Sequence, residues 1–560
     1  MEKKNKQIVQ RSNFNNKYDL DNIPKEKFRF ANKDKDLRDK AFETKPMSFF
    51  HDSWNRFSKN KSSIVAGIII LIISLFAIIE PIVDPKAHVD AIQYPSGFQD
   101  KNFALARPYS SLFADTGWWD GKKDETIGED DYNLLSFTDS NHVRVDLKEK
   151  VVESYTIVGL EFNTTKYRVD EDTYAIGCKY VTLSKEKYDA LVQYEKDQNI
   201  YRQEDSIMKP IVNVSNYLSE VEAQLLSRGV ATSSVNTILD SMTNYYNNYP
   251  DIYYKLFPKE TNGQYSDTKF SAVLEDGQPI PIYSTDSEGD LNYFKLKSAE
   301  YTIRVDYFDY FTYANGFEPY YLFGANQSGQ DIYLRLALGA RFSLLLGVGV
   351  SLVNFLIGLF WGAISGYYGG NVDLIMERIT DIIGNIPTII IMTIAQIQFT
   401  NSTTLENSLG SSGVLILAIL LAFVYNGWIG VASTTRMQFY RFKGQEYVLA
   451  SRTLGAPDRR LIFKHILPNA AGTLVTSSVL MIPGVIFSES SLSYLGIIDF
   501  SSSGICSIGV LLNEGQAASL SQNPHVLLFP AAVISLLMIS FNLFGNGLRD
   551  AFNTSLKGSE

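Results

Sequence analysis

The chain has 560 residues, 45% of them hydrophobic, and a formal charge of −10. The length leaves room for several domains, and the acidic balance argues against nucleic acid as a partner. Two cysteines far apart in sequence, Cys178 and Cys506, are too few for a disulfide framework or a zinc cluster. A mean hydropathy of −0.06 averages two unlike populations. Residues 338–400, 413–434 and 472–548 are strongly apolar, whereas 84–325 is Tyr-rich, acidic and soluble in character.

Residues 1–61 form a basic tail of about +7, the sign expected on the cytoplasmic side. The first apolar run, Ile64–Ile79, follows Arg56, Lys59 and Lys61 and ends at Glu80-Pro81. About 60 polar residues precede it and no small-residue cleavage site follows, a poor fit to a secretory signal peptide. With its flanks it reaches the roughly 20 residues that cross hydrocarbon, so 62–83 is expected to be an uncleaved first span.

Residues 84–325 carry about −16 and are numerous enough for a core of their own. Alternating β-formers at Val143–Leu147, Val151–Phe162 and Tyr301–Asp306 predict strands. Ser184 is placed to cap a helix through Asp197, and Asn216–Arg228 predicts another, giving an α+β domain. Aromatics are dense at Tyr245, Tyr246, Tyr249, Tyr253, Tyr254 and over Tyr307–Tyr313. They either fill this domain's core or form a docking face. Asn163, Asn213 and Asn401 sit in glycosylation tripeptides, a pattern common by chance.

Five further spans are expected at Phe342–Ile364, Ile382–Gln398, Val414–Thr434, Leu474–Leu495 and Val526–Leu548. The segment 435–470 carries Arg436, Arg441, Lys443, Arg452, Arg459, Arg460 and Lys464, whereas 399–413 and 497–525 have no Lys or Arg. The positive-inside rule then puts 435–470 and both termini, including 551–560, in the cytoplasm and 84–325 outside.

Gly358, Gly362 and Gly366 form a small-residue stripe for close helix packing. Pro387 and Pro483 are expected to interrupt the third and fifth spans. Asn354, Asn385, Gln396, Asn426 and Glu489 are polar positions in or near apolar runs. They either bond between helices or, as candidates Asn385, Gln396, Asn426 and Glu489, line a solute path, Glu489 foremost because an unpaired carboxylate in lipid is costly.

No phosphate-binding G-x-x-x-x-G-K-[ST] loop occurs, and Gly121-Lys122 lacks its spacing. No metal cluster or proton relay is apparent either, so a transporter of this kind takes its energy from a partner. The segment 435–470 predicts two short helices at a corner. Glu446–Leu454 ends at Gly455, suited to a left-handed cap, and Pro457 with Asp458 starts the next helix. Pro468 is expected to bar simple continuation into the fifth span. The alternative is an amphipathic loop helix lying on the membrane.

Tyr447-Val448-Leu449-Ala450-Ser451-Arg452-Thr453-Leu454-Gly455-Ala456, followed by Phe463-Lys464-His465-Ile466-Leu467-Pro468-Asn469, resembles the cytoplasmic coupling motif of ABC importer permeases. That pattern is Glu-Ala-Ala, three residues, Gly, nine residues, then Ile-x-Leu-Pro. Leu449, Ala450 and Ser451 stand at the Glu-Ala-Ala positions, and His465 replaces the Ile. Phe323–Asp331 is similar to the Phe-Gly-Thr-Asp-x-x-Gly-Arg-Asp of the peptide branch, departing at Ala325, Asn326 and Gln330. Gly339–Leu344, Gly366–Gly370, Asp373, Arg378, Asp381, Pro387 and Glu489 with Leu492–Gly496 continue the likeness in order.

The resemblance implies an all-α polytopic membrane protein with six transmembrane helices of the ABC importer permease type, and the composition adds to it a large α+β extracellular insertion between helices 1 and 2, where the family's ordinary loop is much shorter. It implies a non-catalytic C-type permease chain of the oligopeptide, dipeptide and nickel branch in a bacterial cell membrane. Its partners would be a second permease chain, two cytoplasmic ATPases holding ATP and Mg, an extracellular solute-binding lipoprotein and membrane lipid. Glu446, Tyr447, Ala450, Ser451, Gly455, Ala456, Pro457, His465, Leu467 and Pro468 would then form the ATPase-coupling loop, within a permease core over 326–550. The aromatics of the insertion either fill its core or offer a docking face to the binding protein, a choice that the resemblance does not decide. A secondary transporter would show internal repeats and ion sites in broken helices, and neither is seen. A membrane-anchored sensor would not need five further spans, and exporters usually lack the corner loop.

Overall fold

The computed structural model describes residues 49–552 apart from 90–93, 95–96, 129–131, 133–134, 136–139, 158–159, 212–221, 223–225, 228, 230, 238, 241–282, 499, 501–503 and 519. The tail before residue 49, Asn213, most of the expected helix Asn216–Arg228 and the tyrosines at 245, 246, 249, 253 and 254 lie outside the described residues. Met1–Lys59 is one unit and Asn60–Glu560 another. In the first, α1 (Phe49–Lys59) places Arg56 and Lys59 in its last turn, where cations complement the helix dipole.

The second unit begins with α2 (Lys61–Val83), whose Asn60 side chain caps the N–H of Ser63 at 3.3 Å. Its 23 residues rise about 34 Å, enough to cross hydrocarbon. Two short antiparallel sheets follow. β1 (Lys122–Gly128), β2 (Val145–Ile157) and β3 (Leu160–Asp172) form the first in the order β1-β3-β2. Ile157 pairs with Leu160, so the run Val151–Phe162 contributes to two strands joined by a two-residue connection rather than to one. In the second sheet β7 (Glu300–Asp306) pairs with β4 (Cys178–Leu183), β5 (Met208–Lys209) and β6 (Phe294–Lys297). α3 (Lys185–Asp197) starts at Ser184, as its cap signal predicts, and buries Tyr188 and Leu191. α4 (Tyr307–Asn315) buries Phe308 and Phe311 beside Phe103, Tyr174 and Tyr321, so this aromatic stretch fills a core. Cys178 and Cys506 are both buried, and neither is in a disulfide among the described residues.

The membrane part consists of α5 (Ile332–Tyr368), α6 (Gly370–Gly384), α7 (Thr388–Thr400), α8 (Thr403–Gly427), α9 (Ile429–Lys443), α10 (Glu446–Thr453), α11 (Leu467–Tyr494), α12 (Ile508–Ala517) and α13 (Pro524–Phe552). Among the described residues, and counting α2, five helical stretches are long and apolar enough to cross a membrane, and six when α6–α7 is taken as one bent span. The third span thus starts earlier than the expected Ile382–Gln398, and it is interrupted at Pro387 as expected. α6 and α7 meet at 69° around Ile386-Pro387, where Pro387 has no N–H to continue the ladder. Pro483, by contrast, sits inside α11 without ending it. The fourth span continues through α9 to Lys443, into the segment expected to be loop.

The glycine stripe sets the spacing of α5 against α9. A Cβ on Gly358, Gly362 or Gly366 would fall 2.6, 2.2 or 2.7 Å from the carbonyl oxygens of Trp428, Ala432 and Arg436. Contact this close is possible only without side chains, and one added methyl would cost about 1–3 kcal/mol in overpacking or force the helices apart. At the other end of α5, Asp331 caps the N–H of Tyr333 at 2.8 Å. It also accepts an ion-paired hydrogen bond from Lys86, just beyond α2, at 2.5 Å. The insertion therefore leaves and rejoins the bundle at adjacent points.

Candidate functional site

The segment after α9 builds a folded corner. α10 ends in a Schellman arrangement in which Gly455 (φ 82°) donates to Arg452 O at 3.0 Å and Ala456 donates to Ser451 O at 3.1 Å. Pro457 caps a helical turn, Asp458–Arg460, that passes through a π-helical stretch, Leu461–Ile466, directly into α11. Pro468 therefore does not bar continuation. The Leu467 N–H bonds Ile462 O, five residues back, and this widened turn accommodates a proline that has no N–H to place.

One side of the corner is anchored. Val448 is fully buried with Tyr367, Phe439, Leu461 and Ile466, and half-buried Ala456 and Leu467 pack against them. The Tyr367 hydroxyl donates to Asp458 Oδ1, and Arg452 donates to Tyr367 at 3.3 Å. Lys443 donates to Gly366 O and Tyr367 O at 2.9 and 3.3 Å, satisfying carbonyls at the end of α5. Beside this, Asp373 of α6 accepts two bonds from Arg436 (2.5 and 2.7 Å), one from Tyr440 (2.7 Å) and one from Ser365. Such a bidentate pair fixes geometry as well as charge.

The other side is open. Glu446, Tyr447, Leu449, Ala450, Leu454 and Phe463 are exposed, Leu454 to 88%. The short helix thus combines a buried anchor with an exposed apolar face, a pairing common at protein interaction surfaces. Ser451 donates back to Tyr447 O at 2.9 Å, His465 O accepts from Asn469 at 2.6 Å, and Pro468 faces outward.

Two clefts cut the helical part. The larger, about 560 Å³, is lined by Asn354, Thr388, Asn426, Ser488 and Ser491 among apolar side chains that include Phe423, Met481 and Phe487. Asn426 and Thr388 bond each other at 3.0–3.1 Å. The buried Asn354 donates to Phe423 O at 3.3 Å, leaving its Oδ1 unpartnered. The second cleft, about 340 Å³, is more polar and includes Glu377, Asp381, Asn385 and Arg436. Asn385 itself donates to Asp381 O at 2.6 Å.

The four expected path residues are thus not brought together. Asn426 lines one cleft and Asn385 the other, and half-buried Gln396 lines neither. Glu489 is fully buried between helices, accepting from Ser343 of α5 at 3.0 Å and Ser490 at 3.3 Å, with its second oxygen unpartnered.

Against known proteins, a profile described as the inner membrane component of binding-protein-dependent transport systems matches residues 358–558. One described as the N-terminal TM domain of oligopeptide transport permease C matches 48–104. The oligopeptide transport system permease protein OppC of Bacillus subtilis is 39% identical over 235 residues, 42% of this chain and 72% of that protein. The chain belongs to this permease family, in its oligopeptide and dipeptide branch. The dipeptide permease DppC of Bacillus subtilis is 37% identical over 42% of this chain and 69% of its own length. OppC of Haemophilus influenzae is 36% identical over 42% and 71%. The two profiles bracket residues 105–357, which hold both sheets.

This chain is therefore a multi-pass membrane permease of the ABC importer class. Its sequence disclosed the corner and the motif that contains Val448, Leu454 and Phe463, but not that Val448 anchors against Tyr367 while Leu454 and Phe463 stand exposed. Leu454 and Phe463 carried the one available signal, large apolar residues amid a basic segment.

Proposed function

We propose that this permease forms half of the channel of an ATP-driven importer of oligopeptides, with a second permease chain as the other half. α10 and its Gly455 corner lie in the cytoplasm and dock on an ATPase subunit, where ATP and Mg are bound. The observation that carries this reading is the exposed face Tyr447, Leu449 and Leu454 on a helix whose Val448 is locked into the bundle. Movement imposed on that face reaches α5 through Tyr367 and α11 through the continuous helix after Asp458. On this reading 84–325 lies outside the cell as a docking platform for a solute-binding lipoprotein.

The solute assignment draws on relatives named as oligopeptide and dipeptide permeases, and on the larger cleft. Its amide and hydroxyl groups can bond peptide backbone without demanding a given side chain. Among the described residues, those lining it include no His, Cys, Asp or Glu, the donors a nickel ion takes.

Affinity purification of the tagged chain from its native membranes in mild detergent tests the assembly, followed by ATP-dependent uptake of a mixed peptide pool into vesicles. Two ATPases, a second permease and a lipoprotein should co-purify, and uptake should require ATP. A chain recovered alone that takes up solute on an ion gradient without ATP would overturn the reading.

A further inference from the structure

The loop 110–120 is closed at its base, where Ser110 donates to Trp119 O at 2.8 Å and the Arg107 guanidinium reaches Gln522 O just before α13. Within it a short 3-10 turn, Ala114–Thr116, ends on Gly117 at φ 73° and pushes the flanking side chains outward. Leu112 is 84% exposed, Trp118 is 71% exposed, and Phe113 is exposed with them. Trp119 turns the other way. Its Nε1 donates to Leu322 O at 2.5 Å, and its ring lies 6.0 Å from Phe529 of α13, which stacks on Phe323 at 4.0 Å. The loop is thereby held against the second turn of a helix that is long and apolar enough to cross a membrane.

We propose that this loop is a membrane-contacting foot, with Leu112, Phe113 and Trp118 seated in the lipid interface beside the start of α13. Two observations commit it to lipid. First, the loop is held where the exposed apolar side chains of the span begin: Leu528, next to the Phe529 that Trp119 approaches, is exposed, and Leu536, Ile539 and Leu543 follow along the same helix. Second, α13 has 29 residues and rises about 43 Å against a hydrocarbon core of about 30 Å, and its apolar run starts only at Val526, which sets the first turn at headgroup level. Tryptophan is the side chain favoured at that depth. Between Pro108 and Gly121 there is no Lys or Arg and there are two aspartates. The contact is therefore apolar and does not depend on anionic lipid or low salt. The foot fixes the insertion to the bilayer beside the point where it rejoins the bundle, since Phe529 and Phe323 pack with Ile332 at the start of α5.

Both native cysteines are buried, so one added cysteine can be labelled selectively. Leu112→Cys, Trp118→Cys and, on the exposed strand β6, Leu296→Cys would carry a nitroxide in the full chain, held in phosphatidylcholine nanodiscs. Collision rates with oxygen, which concentrates in lipid, and with a water-soluble nickel chelate are then compared. At 112 and 118 oxygen should exceed the chelate several-fold, with the order reversed at 296. Chelate-dominated rates at 112 and 118 would place the loop in water and overturn the proposal. Exclusion of both reagents there would overturn it in favour of a protein partner.

Discussion

The phenol of Tyr367, on the last turn of α5, donates to the carboxylate of Asp458 on the far side of the Gly455 corner. Arg452 of α10 donates to the same phenol oxygen at 3.3 Å, so one hydroxyl ties both limbs of the corner to the second span. Tyr367→Phe keeps the ring in its apolar cluster and removes only these bonds, each worth about 0.5–1.5 kcal/mol. The variant is expected to assemble with its ATPases and hydrolyse ATP while moving less solute per ATP. Measuring hydrolysis and uptake in the same vesicles checks this, and an unchanged ratio would remove Tyr367 from the coupling path.

Gly455 has open space where a Cβ would point, so a substitution there is opposed by its backbone alone. At φ 82° a side chain costs about 1–2 kcal/mol, and an aspartate adds negative charge at the negative end of α10. Gly455→Asp should reach the membrane at normal abundance and fail in uptake, whereas Gly455→Asn, which tolerates this conformation and is uncharged, should retain more transport. Wild-type uptake by the aspartate variant would refute the role of the corner.

Where the peptide-branch pattern has Asp and Arg, this chain has Asn326 and Gln330, and the two amides bond each other at 3.1 Å. Asn326 Nδ2 also donates to Glu514 at 2.9 Å, a carboxylate already paired with buried Arg335. Asn326→Asp sets two carboxylates against each other and should lower stability by about 1–3 kcal/mol. Adding Gln330→Arg should recover part of the loss. The check is a melting series of both variants in detergent; equal melting of the single variant and the parent would contradict it.

In the insertion, His142 Nε2 lies 3.1 Å from Asp309 Oδ1. That hydrogen bond holds the imidazole above its ordinary pKa despite the opposing effect of burial. Burial would raise Asp309, but the bonds from His142 and Asn141 outweigh it and leave the carboxyl below its ordinary value. The pair's contribution is therefore full between about pH 4 and pH 6.5. It is lost upward as pH rises through the raised histidine value, and downward as pH falls through the depressed aspartate value. Hydrogen exchange at residues 140–147 should quicken from pH 6.5 to 8.5, and His142→Gln should abolish that dependence beyond the intrinsic rate. Identical profiles for parent and variant would show that the pair contributes nothing.

The features legible in sequence were those with local causes. Hydropathy located the spans, Ser184 and Gly455 marked helix ends through capping chemistry, and small residues four apart marked the α5–α9 contact. What escaped depended on partners distant in the chain. Pro468 is a helix breaker by local rules, yet the π-helical stretch before it lets α11 continue, because that widening is supported by Leu461 and Ile466 packing under Val448 and Tyr367. Glu489 looked like a path residue because its charge stood alone in sequence, whereas Ser343, 146 positions away, supplies a bond and draws it into helix packing. Val151–Phe162 has the alternation of one strand, and only its register shows the reversal.

The ion pair of Lys86 with Asp331 bears on how such a chain can be rebuilt. It brings the ends of the whole insertion side by side, so the stretch between them is a closed loop whose length hardly matters to the bundle. Doubling such a loop adds only about 0.6 kcal/mol of closure entropy. A permease with this clasp can acquire, enlarge or lose an entire domain at that point as a cassette. Cutting between Ala106 and Ala325, whose backbones are hydrogen-bonded at 2.9 Å, and joining those ends by a short flexible linker keeps Asn326 and Gln330 with Glu514 and is therefore a natural route to a minimal transporter.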